Sequence, residues 1–186
     1  MKLSGKSVAI LATHGFEQSE LEVPRDRLKE AGATVHVISP EKGEIKGWDM
    51  KDWGHPVKVD RQLDDVSPDD YDAIVLPGGQ INPDLLRINQ KALKFIRAFY
   101  DQDKIVAAVC HAPWLLIETG IIKGKKATSY ISIKTDVINA GAKWEDSQVV
   151  TDEGVVTSRN PGDLEPFSAK IIEEITEGRH HQRHAA

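Results

Sequence analysis

Three short and almost wholly apolar runs limit what this chain can fold into. They are Ser7–Ala12, Asp72–Leu76 and Ile105–Val109. Because none of them alternates polar with apolar residues, each predicts a strand buried on both faces, as in a parallel sheet. A helical pattern over residues 16–31, ended by Gly32, and a further strand at Thr34–Ile38 make the start of the chain a β-α-β unit. We therefore predict an α/β fold with a mostly parallel central sheet.

The remaining elements continue this alternation, with one exception. Residues 41–63 carry glycines and two tryptophans, and they predict a hairpin-like excursion at the edge of the sheet. The other predicted elements are helices over Asn89–Tyr100, Pro113–Thr119 and Ile133–Ala140, a short strand at Ala127–Tyr130, a hairpin over Val149–Ser158, and a last helix capped by Asp163 and running through Glu177. With no linker or internal repeat, we predict a single domain over residues 1–178 and a polar tail over residues 179–186.

The composition favours a cytoplasmic enzyme or binding protein. A formal net charge of −5 without a long basic stretch argues against nucleic acid as an obligate partner. The single cysteine excludes an intrachain disulfide and fits a reducing compartment. No run approaches the roughly 18 apolar residues that a transmembrane helix needs, and the N-terminus lacks the pattern of a signal peptide. We therefore expect a cytoplasmic location and no membrane partner.

Cys110 is the first candidate for chemistry. It ends the Ile105–Val109 run, and His111-Ala112-Pro113 follows directly. A reactive side chain between a buried strand and a helix is the layout of a nucleophile elbow, in which a tight turn exposes that side chain at the edge of the sheet. The positive end of the helix dipole would favour the thiolate. The alternative is a buried structural thiol, because free cysteine is among the most buried residue types.

Two other strand ends are predicted to meet Cys110, because ligands of open α/β sheets bind outside the carboxyl ends of the strands. The first strand leads to Glu17, whose carboxyl group we expect to hydrogen-bond the sulfur and tune its pKa. The second leads to Gly78-Gly79, and the N–H of Gly79 is predicted to form an oxyanion hole with the N–H of His111. The alternatives are an ordinary acid at a helix N-terminus and a plain turn.

His111 is the candidate base for Cys110. Consecutive side chains rarely point at one spot, so the two groups meet only if the chain is strained at the elbow. A third group would then orient the imidazole, and Asp84, shortly after the glycine pair, is the candidate. Its alternative is an ordinary acid in the first turn of a helix. The lone His14 and His55 are better explained as solvated or hydrogen-bonded side chains.

Six motifs run through the chain in a fixed order. They are Phe16-Glu17-Gln18-Ser19-Glu20, Leu76-Pro77-Gly78-Gly79, Ala108-Val109-Cys110-His111-Ala112-Pro113, Ile122-Lys123-Gly124-Lys125-Lys126-Ala127-Thr128, Asn139-Ala140-Gly141-Ala142 and Thr157-Ser158-Arg159-Asn160-Pro161-Gly162-Asp163-Leu164. Together they resemble the DJ-1/PfpI superfamily, and within it the PfpI-like branch of stress proteins and intracellular cysteine peptidases. The resemblance extends from Val8 to about Ile175.

The resemblance implies a flavodoxin-like three-layer α/β sandwich. It implies that Cys110 is the reactive cysteine, that Glu17 hydrogen-bonds it and that His111 is the partner imidazole. The third member of the site would be Asp84 of a neighbouring subunit, so a homodimer or a larger assembly is expected. This chain has Ala112 where the family often has glycine, and Asp84 where it often has the longer glutamate.

The resemblance also implies the kind of activity. We expect a stress-response hydrolase, without cofactor or metal, whose cysteine acts on small carbonyl compounds or on glycated adducts, as glyoxalases and deglycases do. One alternative is an intracellular cysteine peptidase that acts on unfolded protein. Others are a sensor of oxidative stress that works through oxidation of Cys110, and a chaperone.

Overall fold

The computed structural model describes residues 1–178, in which strands and helices alternate. The first half contains β1 (Ser7–Leu11), α1 (Gln18–Glu30), β2 (Thr34–Ser39), β3 (Glu44–Asp49), β4 (Asp52–Lys58), β5 (Arg61–Gln62), β6 (Ala73–Leu76), α2 (Ile81–Leu86) and α3 (Gln90–Asp101). The second half contains β7 (Ile105–Val109), α4 (Pro113–Glu118), β8 (Lys126–Ala127), α5 (Lys134–Asn139), β9 (Lys143–Trp144), β10 (Val149–Asp152), β11 (Val155–Ser158) and α6 (Leu164–Glu177). Short 3₁₀ turns lie at Leu63–Asp65, Pro68–Asp70, Ile131–Ile133 and Pro161–Asp163.

The central sheet has seven strands in the order β10-β11-β7-β6-β1-β2-β5. All neighbouring pairs are parallel except the β10–β11 hairpin. Strands β6 and β7 lie in the middle of the sheet and are buried along their whole length, as their unbroken apolar runs predict. The predicted α/β fold with a mostly parallel sheet is confirmed.

Helices cover both faces of the sheet and make three layers. On one face, α1 and α6 bury Leu21, Leu28, Phe167 and Ile171 against alternate strand residues such as Ile10. On the other face, the buried side chains include Phe95 and Phe99 of α3, Leu115 and Leu116 of α4, and Val137 of α5. Each face therefore has its own apolar core, which confirms the flavodoxin-like sandwich.

The excursion over residues 41–63 contains the predicted hairpin, formed by β3 and β4. It is a two-stranded sheet of its own and not an edge of the central sheet, where β5 is the outer strand. Backbone hydrogen bonds from Gly15 to Lys46 and from Trp48 to Phe16 attach it to the loop between β1 and α1. This attachment places the hairpin beside the carboxyl ends of the central strands.

Several local predictions need revision. Helix α2 follows directly on the glycine pair, in a segment for which a helix was considered only as the alternative interpretation of Asp84. Asp163 stands at the N-cap position of α6, but its side chain makes no capping bond and pairs instead with the Arg159 guanidinium at 2.8 Å. The single domain over residues 1–178 stays a prediction, and the polar tail over residues 179–186 lies outside the described residues.

Candidate active site

Cys110 lies at a strained elbow directly after β7. Its φ angle is 63°, in the left-handed region that non-glycine residues rarely adopt. Its N–H donates to the Ser158 carbonyl at 3.0 Å, and its carbonyl accepts from the Tyr130 N–H at 2.8 Å. Ala112, directly after His111, is fully buried, so a small residue fits the tight turn. The surrounding sheet and loop thus hold the cysteine in its strained conformation.

The carboxyl group beside the sulfur belongs to Glu20. Its side chain is fully buried, accepts a hydrogen bond from the Gly78 N–H at 2.8 Å, and is hydrogen-bonded to the Cys110 thiol. A Cβ on Gly78 would lie 2.5 Å from Glu20 Oε2 and 2.7 Å from Cys110 Cβ. The absence of a side chain at Gly78 is therefore what lets the carboxyl group and the thiol meet.

The expected contact between Glu17 and the sulfur is wrong. Glu17 is the N-cap residue of α1, half-buried at the pocket, and its Oε1 accepts from the Met50 N–H at 3.4 Å. One helical turn later, Glu20 falls on the buried face of α1 together with Leu21 and Leu28. A fully buried acid on an apolar helix face is the informative signal in the structure. Helical spacing from Leu21 and Leu28 fits Glu17 at least as well as Glu20, so the sequence pattern could not choose between the two acids.

Burial determines the protonation of the two buried groups. It raises the pKa of Glu20 to about 8, although the Gly78 N–H and the thiol act in the opposite direction. Burial also raises the pKa of the Cys110 thiol, and a charged Glu20 raises it further. At neutral pH Glu20 keeps its proton, so this repulsion is absent and the carboxylic acid can donate to the sulfur. Glu20 therefore holds a proton beside the Cys110 sulfur.

Glu17 has a milder perturbation. Its partial burial raises the pKa of its carboxyl group, the Met50 N–H opposes this, and the nearby Asp49 adds to it. Because Glu17 also repels Glu20, it contributes to the raised pKa of that buried acid. Glu17 thus lines the pocket and raises the pKa of Glu20 through charge repulsion.

His111 lies between the thiol and a serine. Its Nδ1 is 3.1 Å from Cys110 Sγ, so at this elbow consecutive side chains do meet. Its Nε2 is 3.1 Å from Ser132 Oγ. The Tyr130 ring stacks on the imidazole with centroids 4.8 Å apart. Burial lowers the pKa of His111, which favours the neutral imidazole.

Asp84 does not reach this imidazole in its own chain. It lies exposed in the first turn of α2, and no hydrogen bond joins it to His111 within residues 1–178. Ser132 occupies the Nε2 side instead. Ser132 was missed from the sequence because a serine in a 3₁₀ turn, 21 residues from its partner, carries no local motif.

Backbone N–H groups face the sulfur from two sides. Those of Gly79 and His111 both hydrogen-bond the Cys110 side chain and act to lower its pKa. Gly79 has a φ of 76°, and a Cβ there would lie 2.7 Å from the backbone nitrogen of Glu17. Glycine is therefore needed at this position, and the two N–H groups have the placement that an oxyanion hole requires.

The pocket above Cys110 has a volume of about 590 Å³. It is lined by Gly15, Glu17, Glu20, Trp48, Met50, Gly79, Gln80, Ile81, Cys110, His111, Tyr130 and Pro161. Trp48 and Met50 come from the β3–β4 hairpin, which closes one side. Trp53, 44% exposed, packs edge-on against Trp48 outside the pocket.

His14 and His55 hold the hairpin and do not line the pocket. His14 Nδ1 accepts from the Lys46 N–H at 3.0 Å. His55 Nε2 lies 2.9 Å from Glu22 Oε1 on α1. Within residues 1–178, no group of three or more His, Cys, Asp or Glu side chains is arranged to hold a metal ion. In the same part of the chain, every helix is too short or too polar to span a bilayer.

Comparisons with known proteins agree with this architecture. The DJ-1/PfpI family profile matches residues 6–174. The Pyrococcus furiosus protein named Deglycase PfpI is 45% identical over 165 residues, which cover 89% of this chain and 96% of the relative. The Bacillus subtilis protein named Putative cysteine protease YraA is 43% identical over 168 residues, which cover 90% and 96%.

A solved structure extends the agreement to three dimensions. The crystal structure of Drosophila melanogaster DJ-1beta superposes with a TM-score of 0.85 at 31% identity, covering 92% of this chain and 90% of that one. The family profile spans the sheet, the elbow and both helical layers described above. The chain therefore belongs to the DJ-1/PfpI family.

Proposed function

We propose that this protein is a cysteine-dependent hydrolase that acts on small carbonyl compounds or their early glycation adducts as part of a stress response. The observation that carries the proposal is the arrangement around Cys110 Sγ: a buried acid, an imidazole at 3.1 Å and two backbone N–H groups, all opening into one pocket. A relative is named as a deglycase, which agrees with this chemistry. A pocket of about 590 Å³ suits a small substrate.

The chemistry begins with addition. His111 takes the thiol proton, and the resulting Cys110 thiolate attacks an aldehyde carbon, so a C–S bond forms while the C=O π bond breaks and its electron pair moves to oxygen. The N–H groups of Gly79 and His111 stabilise this oxyanion, and Glu20 supplies a proton that converts it into a hemithioacetal. The proton held by His111 then passes to the Glu20 carboxylate, so the imidazole is neutral again. With a hemiaminal adduct as substrate, the thiolate forms the C–S bond as the C–N bond breaks, and the amine leaves with the proton of Glu20, which gives the same hemithioacetal.

Completion of the reaction needs a base and water. With methylglyoxal as substrate, His111 in its neutral form takes the proton from C1 of the hemithioacetal, and a proton is returned at C2, which gives a thioester of lactate. Water then hydrolyses the thioester, releasing lactate and regenerating the thiol. The net reaction adds one water to the dicarbonyl, so no external oxidant or reductant is required.

The deciding experiment measures methylglyoxal consumption by the wild-type protein and by Cys110→Ala, with identification of the product. We expect lactate from the wild type and a rate at background for the variant, a loss on the order of 10³-fold or more. Equal consumption by both proteins would refute the proposal. If neither consumes the dicarbonyl, cleavage of unfolded casein or oxidation of Cys110 by dilute peroxide would point instead to a peptidase or a redox sensor.

We further propose that the protein acts as a homodimer in which Asp84 approaches the pocket of the partner subunit. The support is the exposed apolar surface around Asp84, where Ile81, Leu85 and Ile88 are 39%, 46% and 77% exposed. Apolar side chains clustered in this way are typical of a subunit interface. Light scattering would show twice the chain mass, and Leu85→Asp together with Ile88→Asp would give monomers.

A further inference from the structure

We infer that Ser132 is a positioning residue, which holds His111 in the orientation and tautomer that Cys110 needs. The inference deepens the proposed function, because it concerns the base of the same site. Its starting point is that both ring nitrogens of His111 have a partner within one chain, Cys110 Sγ on Nδ1 and Ser132 Oγ on Nε2, each at 3.1 Å. No second subunit is required for either contact.

The tautomer follows from the two partners. A neutral imidazole carries one N–H and one bare nitrogen. Nδ1 faces the thiol, so it can take the thiol proton only if it is bare, and the hydrogen must then be on Nε2. Ser132 Oγ can accept that hydrogen. With the thiol donating to Nδ1, both ring nitrogens are then satisfied in the tautomer whose nitrogen beside the sulfur is basic.

The loop that carries Ser132 is attached to the elbow itself. The Tyr130 N–H donates to the Cys110 carbonyl at 2.8 Å, and the 3₁₀ turn Ile131–Ile133 begins at the next residue. Ile133, 2% exposed, anchors the far side of that turn in the core. Both ends of the turn are therefore held, and this places Ser132 at a defined distance from His111.

A hydroxyl also differs from a carboxylate in its effect on the imidazole. A carboxylate at Nε2 would stabilise the imidazolium and raise the pKa of His111, whereas a neutral hydroxyl does not. Burial already lowers that pKa. Within one chain, where the Ser132 hydroxyl is the partner of Nε2, the lowered pKa of His111 thus favours the neutral form that can accept a proton, with the protonated Glu20 beside the same sulfur.

The test compares two substitutions of nearly equal shape. Ser132→Thr keeps the hydroxyl group, whereas Ser132→Val replaces it with a methyl group. The first measurement is the rate at which iodoacetamide alkylates Cys110 from pH 5 to pH 9. We expect the Thr variant to match the wild type and the Val variant to react about fivefold more slowly at pH 7, the loss of one hydrogen bond. Ser147→Ala, which removes a hydroxyl that is bonded to the Val149 carbonyl and not to His111, is the control.

The second measurement reads the tautomer directly, from the ¹⁵N chemical shifts of the His111 ring. We expect the hydrogen on Nε2 in the wild type and the Thr variant, and a mixture of tautomers in the Val variant. Wild-type tautomer and alkylation profile in the Val variant would overturn the inference. Neither readout uses a dicarbonyl. Failure of the wild-type protein to consume methylglyoxal would therefore refute the proposed function but not the positioning role of Ser132.

Discussion

The two edges of the central sheet both carry a concavity lined with carboxyl groups. The two concavities differ in whether lysine side chains lie among those carboxyl groups. At the amino edge, a concavity of about 270 Å³ is lined by Asp69, Asp70 and Asp72 together with Lys6 and Lys104. At the carboxyl edge, the larger pocket contains Glu17 and Glu20, and no lysine or arginine is among the residues that line it. The acids of one edge have cations beside them, whereas those of the other do not.

The carboxyl groups at the two edges are stabilised in different ways. Lys6 Nζ lies 3.1 Å from Asp72 Oδ1, with both side chains more than a third exposed, so water and an opposite charge satisfy this pair. Glu20 is fully buried beside Cys110, where only backbone N–H groups and a thiol compensate its charge. A buried acid without a cation costs stability, and such costs are typical of sites retained for chemistry.

The largest effect is expected from adding a methyl group at the carboxyl edge. Gly78→Ala would place its Cβ within 2.7 Å of Cys110 Cβ and of the Val109 carbonyl, so the backbone or Glu20 must move. We expect a loss of about 3 kcal/mol in unfolding free energy, typical of overpacking, and loss of Cys110 alkylation. Urea unfolding and alkylation rates measure the two effects.

Gly5→Ala is the matched change at the amino edge. Its Cβ would meet nothing within 4 Å, although the φ of 79° gives it a backbone cost of about 1–2 kcal/mol. Alkylation of Cys110 should be unchanged. Equal alkylation losses in the two variants would mean that close packing at the carboxyl edge has no special role.

The next effect is a pH dependence of stability that comes from Glu20. Its pKa rises from 4.5 in the unfolded chain to about 8 in the folded one, so between these values the folded protein binds the extra proton. The titration of Glu20 therefore leaves the unfolding free energy unchanged below pH 4.5 and lowers it as the pH rises towards 8. Glu20→Gln cannot titrate, so its advantage over the wild type should grow between pH 5 and 8 by on the order of 3 kcal/mol.

Urea unfolding of both proteins at the two pH values gives this difference. Glu30→Gln, an exposed acid on the same helix that pairs with Arg27, serves as the control and should show a change below about 1 kcal/mol. A stability difference between Glu20→Gln and the wild type that stays constant with pH would show that Glu20 is ionised in the folded protein.

The smallest effect is expected at the amino edge. Lys6→Met removes the cation of an exposed ion pair, and we expect a loss of about 0.5 kcal/mol or less that shrinks further in 0.5 M salt. Thermal melts at low and high salt would show it. A loss above about 2 kcal/mol in unfolding free energy would show that the carboxyl groups at the amino edge depend on their cations more strongly than an exposed ion pair does.

The sequence was sufficient for the sheet and for the elbow, because both depend on patterns along the chain. The unbroken apolar run Ile105–Val109 predicts a central strand, and Cys110 at its end predicts the strained turn. The neighbours of Cys110 depend on packing. Glu17 and Glu20 are both acids near the start of α1, and only the direction of the helix face decides which one meets the sulfur. Ser132 approaches from a loop without any periodic pattern.

The position of the elbow in the sheet has a consequence for hydrogen exchange. The amide of Cys110 is bonded to Ser158 on the neighbouring strand, and β6 and β7 are buried along their whole length. Amides in such strands are among the slowest to exchange, so we expect the amide of Cys110 to share the protection of the core. The hairpin lies on the other side of the pocket, and Met50 at its tip is 76% exposed. Exposed segments of this kind have low protection against hydrogen exchange. We therefore expect the amides at the tip of the hairpin to exchange faster than the amide of Cys110, although both border the same pocket.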